Sequence, residues 1–164
     1  MIDGKMQEAL NRHANAEFYS SYLYLSMSAY FRSINLPGFA HWMRVQAREE
    51  LAHALKFYDH VIERGGRANL QLVEAPPAQW DSPLAVFEDA CRHEQKVTGL
   101  ISQLVDEAVQ TRDHATSNFL QWFVSEQVEE EASADAIVQR LELVGNAPGG
   151  LLIVDNELAQ RGSG

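Results

Sequence analysis

The sequence predicts an all-α fold: a four-helix bundle with one long crossover connection and a short fifth helix toward the C-terminal end. Three observations predict it. Proline and glycine cut the chain into long uninterrupted segments, each segment carries an apolar stripe with steps of three and four residues, and one connection is much longer than the others. The 164 residues are expected to form a single domain, 1–164, with the bundle over about 5–144 and the short helix over about 148–160. A chain of this length buries a substantial core, and a hydrophobic content of 46% lies far from that of disordered chains.

Residues 5–33 contain neither glycine nor proline and read as the first helix. Asn35-Leu36-Pro37-Gly38 breaks it, and the second helix runs to about Arg64, where Gly65-Gly66 ends it. Residues 66–81, with Pro76-Pro77, have no helical rhythm. Ser82-Pro83 reads as an N-cap followed by proline at the first helical position. The third helix then reaches about Thr111, and Asp113 caps a fourth that reaches Val144. Gly145, Pro148 and Gly149-Gly150 interrupt the chain before a short apolar segment to about Gln160, and Gly162-Ser163-Gly164 reads as a frayed end.

Helices of about 28 residues are about 42 Å long. Two short links make two antiparallel hairpins, and a 16-residue connection between them stretches to roughly 50 Å, enough to run the length of the bundle. Helices two and three are therefore expected to be parallel.

The stripes are apolar except where carboxylates interrupt them. The first helix gives Leu10, His13, Glu17, Ser20, Tyr24, Met27 and Phe31; the second gives Phe39, Met43, Gln46, Glu50, His53, Phe57 and His60. The third gives Phe87, Ala90, Glu94, Val97, Ile101, Leu104 and Ala108; the fourth gives Leu120, Phe123, Gln127, Glu130, Ala134, Ile137 and Leu141. Every helix thus turns at least one carboxylate inward. Buried unpaired carboxylates cost several kcal/mol or more each, and no lysine or arginine lies near the centre of the stripes. A multivalent cation resolves the conflict.

Spacing sharpens this reading. Glu17 precedes Glu50-x-x-His53 by 33 residues, and Glu94 precedes Gln127-x-x-Glu130 by the same 33. The halves superimpose at an offset of 77, which also matches Glu49 with Glu126. Residues three apart share a helix face, so each pair can reach a common point. Oxygen-rich ligands with one imidazole suit iron or manganese better than structural zinc. A lone Glu-x-x-His carries little information, and the acidic run 126–131 would ordinarily be a solvated face; the conjunction on four helices is what points to metal. His13 and His60 read as polar bundle ends, and His41, His93 and His114 as surface or loop residues. Trp42, Trp122 and most tyrosines read as packing groups. Tyr24 is open between packing, bonding a ligand and donating an electron.

Three segments carry a family resemblance: Ala16-Glu17-Phe18-Tyr19-Ser20-Ser21-Tyr22-Leu23-Tyr24-Leu25, Arg48-Glu49-Glu50-Leu51-Ala52-His53-Ala54, and Asn118-Phe119-Leu120-Gln121-Trp122-Phe123-Val124-Ser125-Glu126-Gln127-Val128-Glu129-Glu130-Glu131. Together they resemble the bacterial and archaeal non-haem ferritins over essentially the whole chain. The resemblance implies a ferroxidase centre in which Glu17, Glu50 and His53 hold one iron, Glu94 and Glu130 hold the second, and Glu50 bridges. It places Gln127 beside the second iron and the family tyrosine on Tyr24. Glu49, Glu126 and Glu129, with Glu130, resemble a third iron site. The implied activity is oxidation of Fe(II) by O2 or H2O2 and storage of ferric mineral in a homo-oligomeric, 24-subunit cage, which the fifth helix helps to close.

The resemblance also separates relatives. Bacterioferritins bind haem through a second-helix methionine, where this chain has Leu51, and repeat Glu-x-x-His where it has Gln127-x-x-Glu130; no haem is expected. Rubrerythrins add a Cys-rich domain, and this chain has one cysteine, Cys91. Where animal ferritins line a three-fold channel with acids, this chain has Ser117, Leu120 and Gln121.

Composition bounds the alternatives. One cysteine excludes an intrachain disulfide and a Cys-rich zinc site, and Cys91 is expected to be a reduced, packed thiol. A formal net charge of −10 disfavours nucleic acid and anionic membranes and is compatible with cationic cargo. Met1-Ile2-Asp3-Gly4-Lys5 lacks the pattern of a signal peptide, and no apolar run of about 18 residues exists to span a bilayer, so a cytoplasmic location is expected. Leu151-Leu152-Ile153-Val154 is apolar surface that the long bundle does not readily bury, which marks an interface. Two other functions compete: a di-iron oxidase or peroxide scavenger without mineral, and a non-catalytic interaction bundle, which leaves the inward carboxylates unexplained.

Overall fold

A computed structural model describes residues 1–162; Ser163 and Gly164, the last two of the three residues expected to form a frayed end, lie outside the described residues. Five helices follow in order: α1 Gly4–Ser33, α2 Pro37–Glu63, α3 Pro83–Gln110, α4 His114–Val144 and α5 Pro148–Leu158. No strand occurs among the described residues.

Local chemistry explains the boundaries. Asp3 accepts from the backbone N–H groups of Lys5 and Met6 at the start of α1, Ser82 Oγ from Ala85 N, and Asp113 Oδ1 from Thr116 N. Pro83 occupies the first turn of α3, where no intrahelical N–H is needed. Helix α2 has no side-chain cap of its own at Leu36. Its cap comes from α5 instead: Asp155 Oδ1 accepts from Gly38 N at 2.8 Å and Phe39 N at 3.0 Å. Gly38 permits this approach, since a Cβ there would stand 1.8 Å from the Asp155 carbonyl oxygen.

Two apolar clusters show how the helices run. One joins the early part of α1 (Met6, Leu10, Ala14), the late part of α2 (Phe57, Val61), the late part of α3 (Ile101, Leu104) and the start of α4 (Leu120, Phe123). The other joins the late part of α1 (Met27, Phe31), the start of α2 (Phe39, Met43), the start of α3 (Phe87, Ala90), the end of α4 (Ile137, Leu141), and Val154 and Leu158 of α5. So α2 and α3 run parallel, as expected, and the connection between them travels from one end of the bundle to the other. It lies along α1, where Asn11 Nδ2 donates to Arg67 O, Asn15 Nδ2 to Leu72 O and Ser26 Oγ to Pro77 O.

Every residue of the four sequence stripes is buried. The apolar members fill the two ends, and the polar members other than His60 lie between them toward mid-length. The fifth helix departs from expectation. Val154 is buried in the chain's own core and Leu151 packs against it, while Leu152 and Ile153 remain exposed, because α5 folds back onto α2 and α4 instead of standing free.

Candidate metal centre

Five charged or chargeable side chains converge between the apolar clusters: Glu17 from α1, Glu50 and His53 from α2, Glu94 from α3 and Glu130 from α4. Helix periodicity puts them there. Glu17 and Glu94 sit in phase with the stripes of α1 and α3, and the three-residue spacings of Glu50-His53 and Gln127-Glu130 keep each pair on one face. All are buried, Glu17 and Glu94 to 1% exposure. Ligand atoms of Glu17, Glu50 and His53 lie within 4.8 Å of one another, and so do those of Glu50, Glu94 and Glu130. Glu50 belongs to both groups.

The carboxylates are held by a shell of donors. His53 Nδ1 lies 3.1 Å from Glu50 Oε2. Gln46 Nε2 donates to Glu50 Oε1 at 3.0 Å and to Glu130 Oε2 at 2.7 Å. Tyr24 Oη donates to Glu94 Oε1, and Gln127 Nε2 donates to Glu94 Oε2 at 3.1 Å and to the Glu94 carbonyl at 3.2 Å. His13 Nε2 lies 2.7 Å from Glu17 Oε1, while Glu17 Oε2 is buried with no partner. Among the described residues no lysine or arginine pairs with Glu17, Glu50, Glu94 or Glu130.

Burial without a compensating cation dominates the electrostatics. It pushes the Glu17 carboxyl up to about 7 and Glu130 up to about 8, with the Glu50 and Glu94 charges adding to Glu130. Glu50 and Glu94 also rise, through burial and then through their negative neighbours. His53 rises to about 9: burial works to lower it, but the Glu50 hydrogen bond and the surrounding carboxylates prevail. The folded chain thus holds protons where divalent charge would serve better. An orphaned Glu17 oxygen, four carboxylates without a lysine or arginine partner, and one imidazole form a donor set that fits an iron-like cation.

Several sequence readings change. His13 is no bundle-end polar residue but touches Glu17, because it lies one turn before it on the same stripe. His93 is half-buried instead of fully exposed: its ring lies 6.1 Å from Tyr24, its Nε2 is 2.7 Å from Ser20 Oγ, and burial lowers it to about 4. His60 meets Thr116 Oγ1 at the start of α4 and stacks on Phe119 at 4.0 Å, a bundle-end position as expected. Trp122 is half exposed yet packs as expected, edge-on to His53 and Phe123, with the Lys56 ammonium 3.1 Å from its ring centroid. Leu120 is fully buried and is no channel-lining residue, since its stripe faces the core.

Glu49, Glu126 and Glu129 belong to neither donor group. No third group of ligand atoms within 4.8 Å forms among the described residues. Glu49 Oε2 accepts from Arg161 Nη2 at 2.7 Å, and Glu129 is exposed. Two participants escaped the sequence reading. Gln46 stands in the stripe four residues before Glu50, a spacing that could have signalled its contact. The Arg161 side chain is remote in sequence from every group it bonds, and no local pattern announces it.

The fold and this site can be set beside known proteins. Residues 7–144 match the family model described as the ferritin-like domain. The bacterial non-heme ferritin of Bacteroides fragilis (strain 638R) is 46% identical over 161 residues, covering 98% of this chain and 100% of that one. The bacterial non-heme ferritin of Escherichia coli O6:H1 is 38% identical over 159 residues, covering 97% and 96%. A crystal structure of a novel open pore ferritin from the hyperthermophilic archaeon Archaeoglobus fulgidus superimposes with a TM-score of 0.98 at 59% identity, covering 99% of both chains.

Proposed function

The chain belongs to the ferritin family, and from that premise we propose that it is a subunit of an iron-storing assembly that oxidises Fe(II) at its mid-bundle centre. The observation that carries this reading is the pair of donor groups sharing Glu50, buried with no lysine or arginine to neutralise them. One Fe(II) binds Glu17, Glu50 and His53; a second binds Glu94, Glu130 and the shared Glu50. Gln127 and Tyr24 orient Glu94 for the second ion.

Binding begins with proton release. The raised carboxyls of Glu17 and Glu130 and the raised imidazole of His53 give up protons as cationic charge arrives, so the shell of hydrogen bonds is exchanged for metal–ligand contacts. Each Fe(II) then loses one electron. With O2 as acceptor, two electrons and two protons give H2O2; with H2O2 as acceptor, they give two waters. Carboxylate oxygens favour the harder Fe(III) product and so assist the oxidation. No haem takes part: Leu51, at the position of the bacterioferritin methionine, has no donor atom.

The assembly is a homo-oligomeric, 24-subunit cage in the cytoplasm, holding ferric mineral inside. The exposed Leu152 and Ile153 of α5 support an intersubunit contact. No helix is long and apolar enough to cross a membrane. A third iron at Glu49, Glu126, Glu129 and Glu130 is a weaker site, because Glu49 must first leave Arg161.

The test combines stopped-flow oxidation with mass in solution. Anaerobic Fe(II) loading at two ions per subunit, followed by O2, should give rapid ferric absorbance in wild type. Glu130→Ala should lose that phase while the assembly keeps its mass. Wild-type initial rates in the variant would remove the ferroxidase reading.

A further inference from the structure

We propose that Arg161, beyond the end of α5, is a positioning residue for the metal centre: it fixes the orientation of Gln46 and occupies Glu49 as a built-in cation. The proposal rests on reading the centre as an Fe(II) site. Nothing in the pattern of helices requires this contact. It arises because α5 folds back across the start of α2 and delivers its trailing residue to the middle of that helix.

Five contacts seat Arg161. Its Nη2 donates to Gln46 Oε1 at 2.9 Å and to Glu49 Oε2 at 2.7 Å, and its Nη1 donates to Trp42 O at 3.2 Å. The guanidinium carbon stands 4.3 Å from the Trp42 ring centroid, and the Arg161 carbonyl accepts from His41 Nε2 at 2.7 Å. A planar fork of five N–H groups can serve carbonyl, carboxamide and carboxylate acceptors together; an ammonium lacks that geometry.

Gln46 transmits the contact. It is fully buried, and its carboxamide has one acceptor oxygen and two donor hydrogens. Arg161 takes the oxygen. The nitrogen therefore faces inward and donates to Glu50 and Glu130 at once. The opposite orientation would point a carbonyl oxygen at two carboxylates and the NH2 group at a guanidinium. Arg161 thereby holds the shared ligand, Glu50, and the ligand supplied by α4, Glu130, in one arrangement. The same guanidinium neutralises Glu49, one residue from Glu50, and withdraws that carboxylate from metal binding.

Loss of Arg161 should act in two opposite directions, which a merely structural residue would not do. Anaerobic Co(II) titration of the assembled protein, read by its visible ligand-field bands, separates them. In Arg161→Ala the first two Co(II) per subunit should bind about five- to tenfold more weakly, because preorganisation of two ligands is lost. A further Co(II) equivalent should bind more tightly, because Glu49 is released. Arg161→Lys should fall between, keeping charge beside Glu49 without the fork to Gln46. In a Gln46→Met background, Arg161→Ala should leave the first two equivalents unchanged, since the transmitting group is gone. Fe(II) oxidation should show a raised half-saturation concentration with the saturated rate within about twofold of wild type.

Unaltered affinity for the first two Co(II) in an assembled Arg161→Ala protein would overturn the proposal. So would uniform weakening of every equivalent, or full additivity with Gln46→Met. If Arg161→Ala does not assemble, Arg161→Lys carries the same comparison. Wild type that binds two Co(II) but does not oxidise Fe(II) would remove the ferroxidase reading, while the titrations would still decide the role of Arg161.

Discussion

Superimposed at an offset of 77 residues, the α1–α2 hairpin places Glu17 on Glu94, Glu50 on Gln127 and His53 on Glu130. The backbone pattern repeats, but the chemistry does not. In the first hairpin Glu17 keeps an oxygen with no partner, and Glu50 reaches both donor groups. In the second, Gln127 stands where a bridging carboxylate could be, and it donates to Glu94 instead of competing with it. The first half carries the imidazole; the second is held by neutral donors, Tyr24 and Gln127, and Gln46 donates to both halves. A near-symmetric frame thus places two unequal cation sites, one poorly satisfied without metal and one well satisfied.

The comparison breaks most sharply at the matched pair Glu50 and Gln127. Glu50→Ala removes a ligand from both groups, so the rapid phase of Fe(II) oxidation should fall by at least about 100-fold, roughly the loss of more than 2.7 kcal/mol of transition-state stabilisation. Gln127→Ala removes only an orienting donor and should cost less than about tenfold. Stopped-flow rates at two Fe(II) per subunit check this; similar losses in both variants would show that the halves are functionally equivalent.

Restoring symmetry gives a second, smaller effect. Gln127→Glu makes the matched pair with Glu50 alike, leaving His53 against Glu130, and adds a buried carboxylate beside Glu94. The metal-free protein should lose about 1–3 kcal/mol of stability at pH 8, and a divalent cation should return it. Denaturant midpoints with and without Co(II) measure the difference. An equally stable metal-free variant would mean that the new carboxylate is accommodated as a proton-bearing donor.

Acidity tests the two halves together. Glu17 and Glu130 sit at about 7 and about 8 against an ordinary 4.5, and His53 at about 9 against 6.5. All three bind protons in the folded chain before the unfolded chain does, so their contribution is complete at low pH and is lost as pH rises through those values. His13 and His93, held by burial at about 3 and about 4, act the other way: below 6.5 the unfolded chain takes their protons first. Above pH 6.5, where the unfolded chain no longer protonates His13 and His93, thermal stability of the metal-free protein should therefore decline toward pH 9, with saturating Co(II) flattening that decline. A metal-free melting temperature that rises steadily from pH 6 to pH 9 would contradict the burial argument.

How much of this was legible in the sequence follows from the range of each interaction. Stripe residues such as Glu94 and Phe123 were readable because a helix repeats every three to four positions, and all of them are buried. The parallel α2 and α3 followed from the length of one connection. His13 was misread because a stripe gives a face but not a partner. His93 lies outside its stripe and was placed at the surface, although Ser20 and Tyr24 of α1 cover it. Arg161 and Asp155 act more than 110 residues away from Gln46 and Gly38, where no periodicity connects them. The third group expected at Glu49, Glu126 and Glu129 rests on spacing, and in this structure Glu49 is paired with Arg161.

The smallest effect separates packing from chemistry at Tyr24. Its hydroxyl is fully buried, donates to Glu94 across the gap between α1 and α3, and is held well above its ordinary pKa by burial and by Glu94. A phenol held protonated in this way is a neutral donor, and it steadies the second, well-satisfied half. Tyr24→Phe deletes one oxygen and leaves the ring, so packing against His93 survives. Glu94 keeps its two contacts from Gln127, and the loss should be about 1 kcal/mol, the net worth of one hydrogen bond. The first oxidation of two Fe(II) should then slow by no more than about fivefold, with Co(II) affinity reduced by a similar factor. A much larger loss of rate with unchanged Co(II) affinity would instead assign the phenol a redox part, and a tyrosyl radical signal on freeze-quenching wild type with O2, absent in Tyr24→Phe, would establish it.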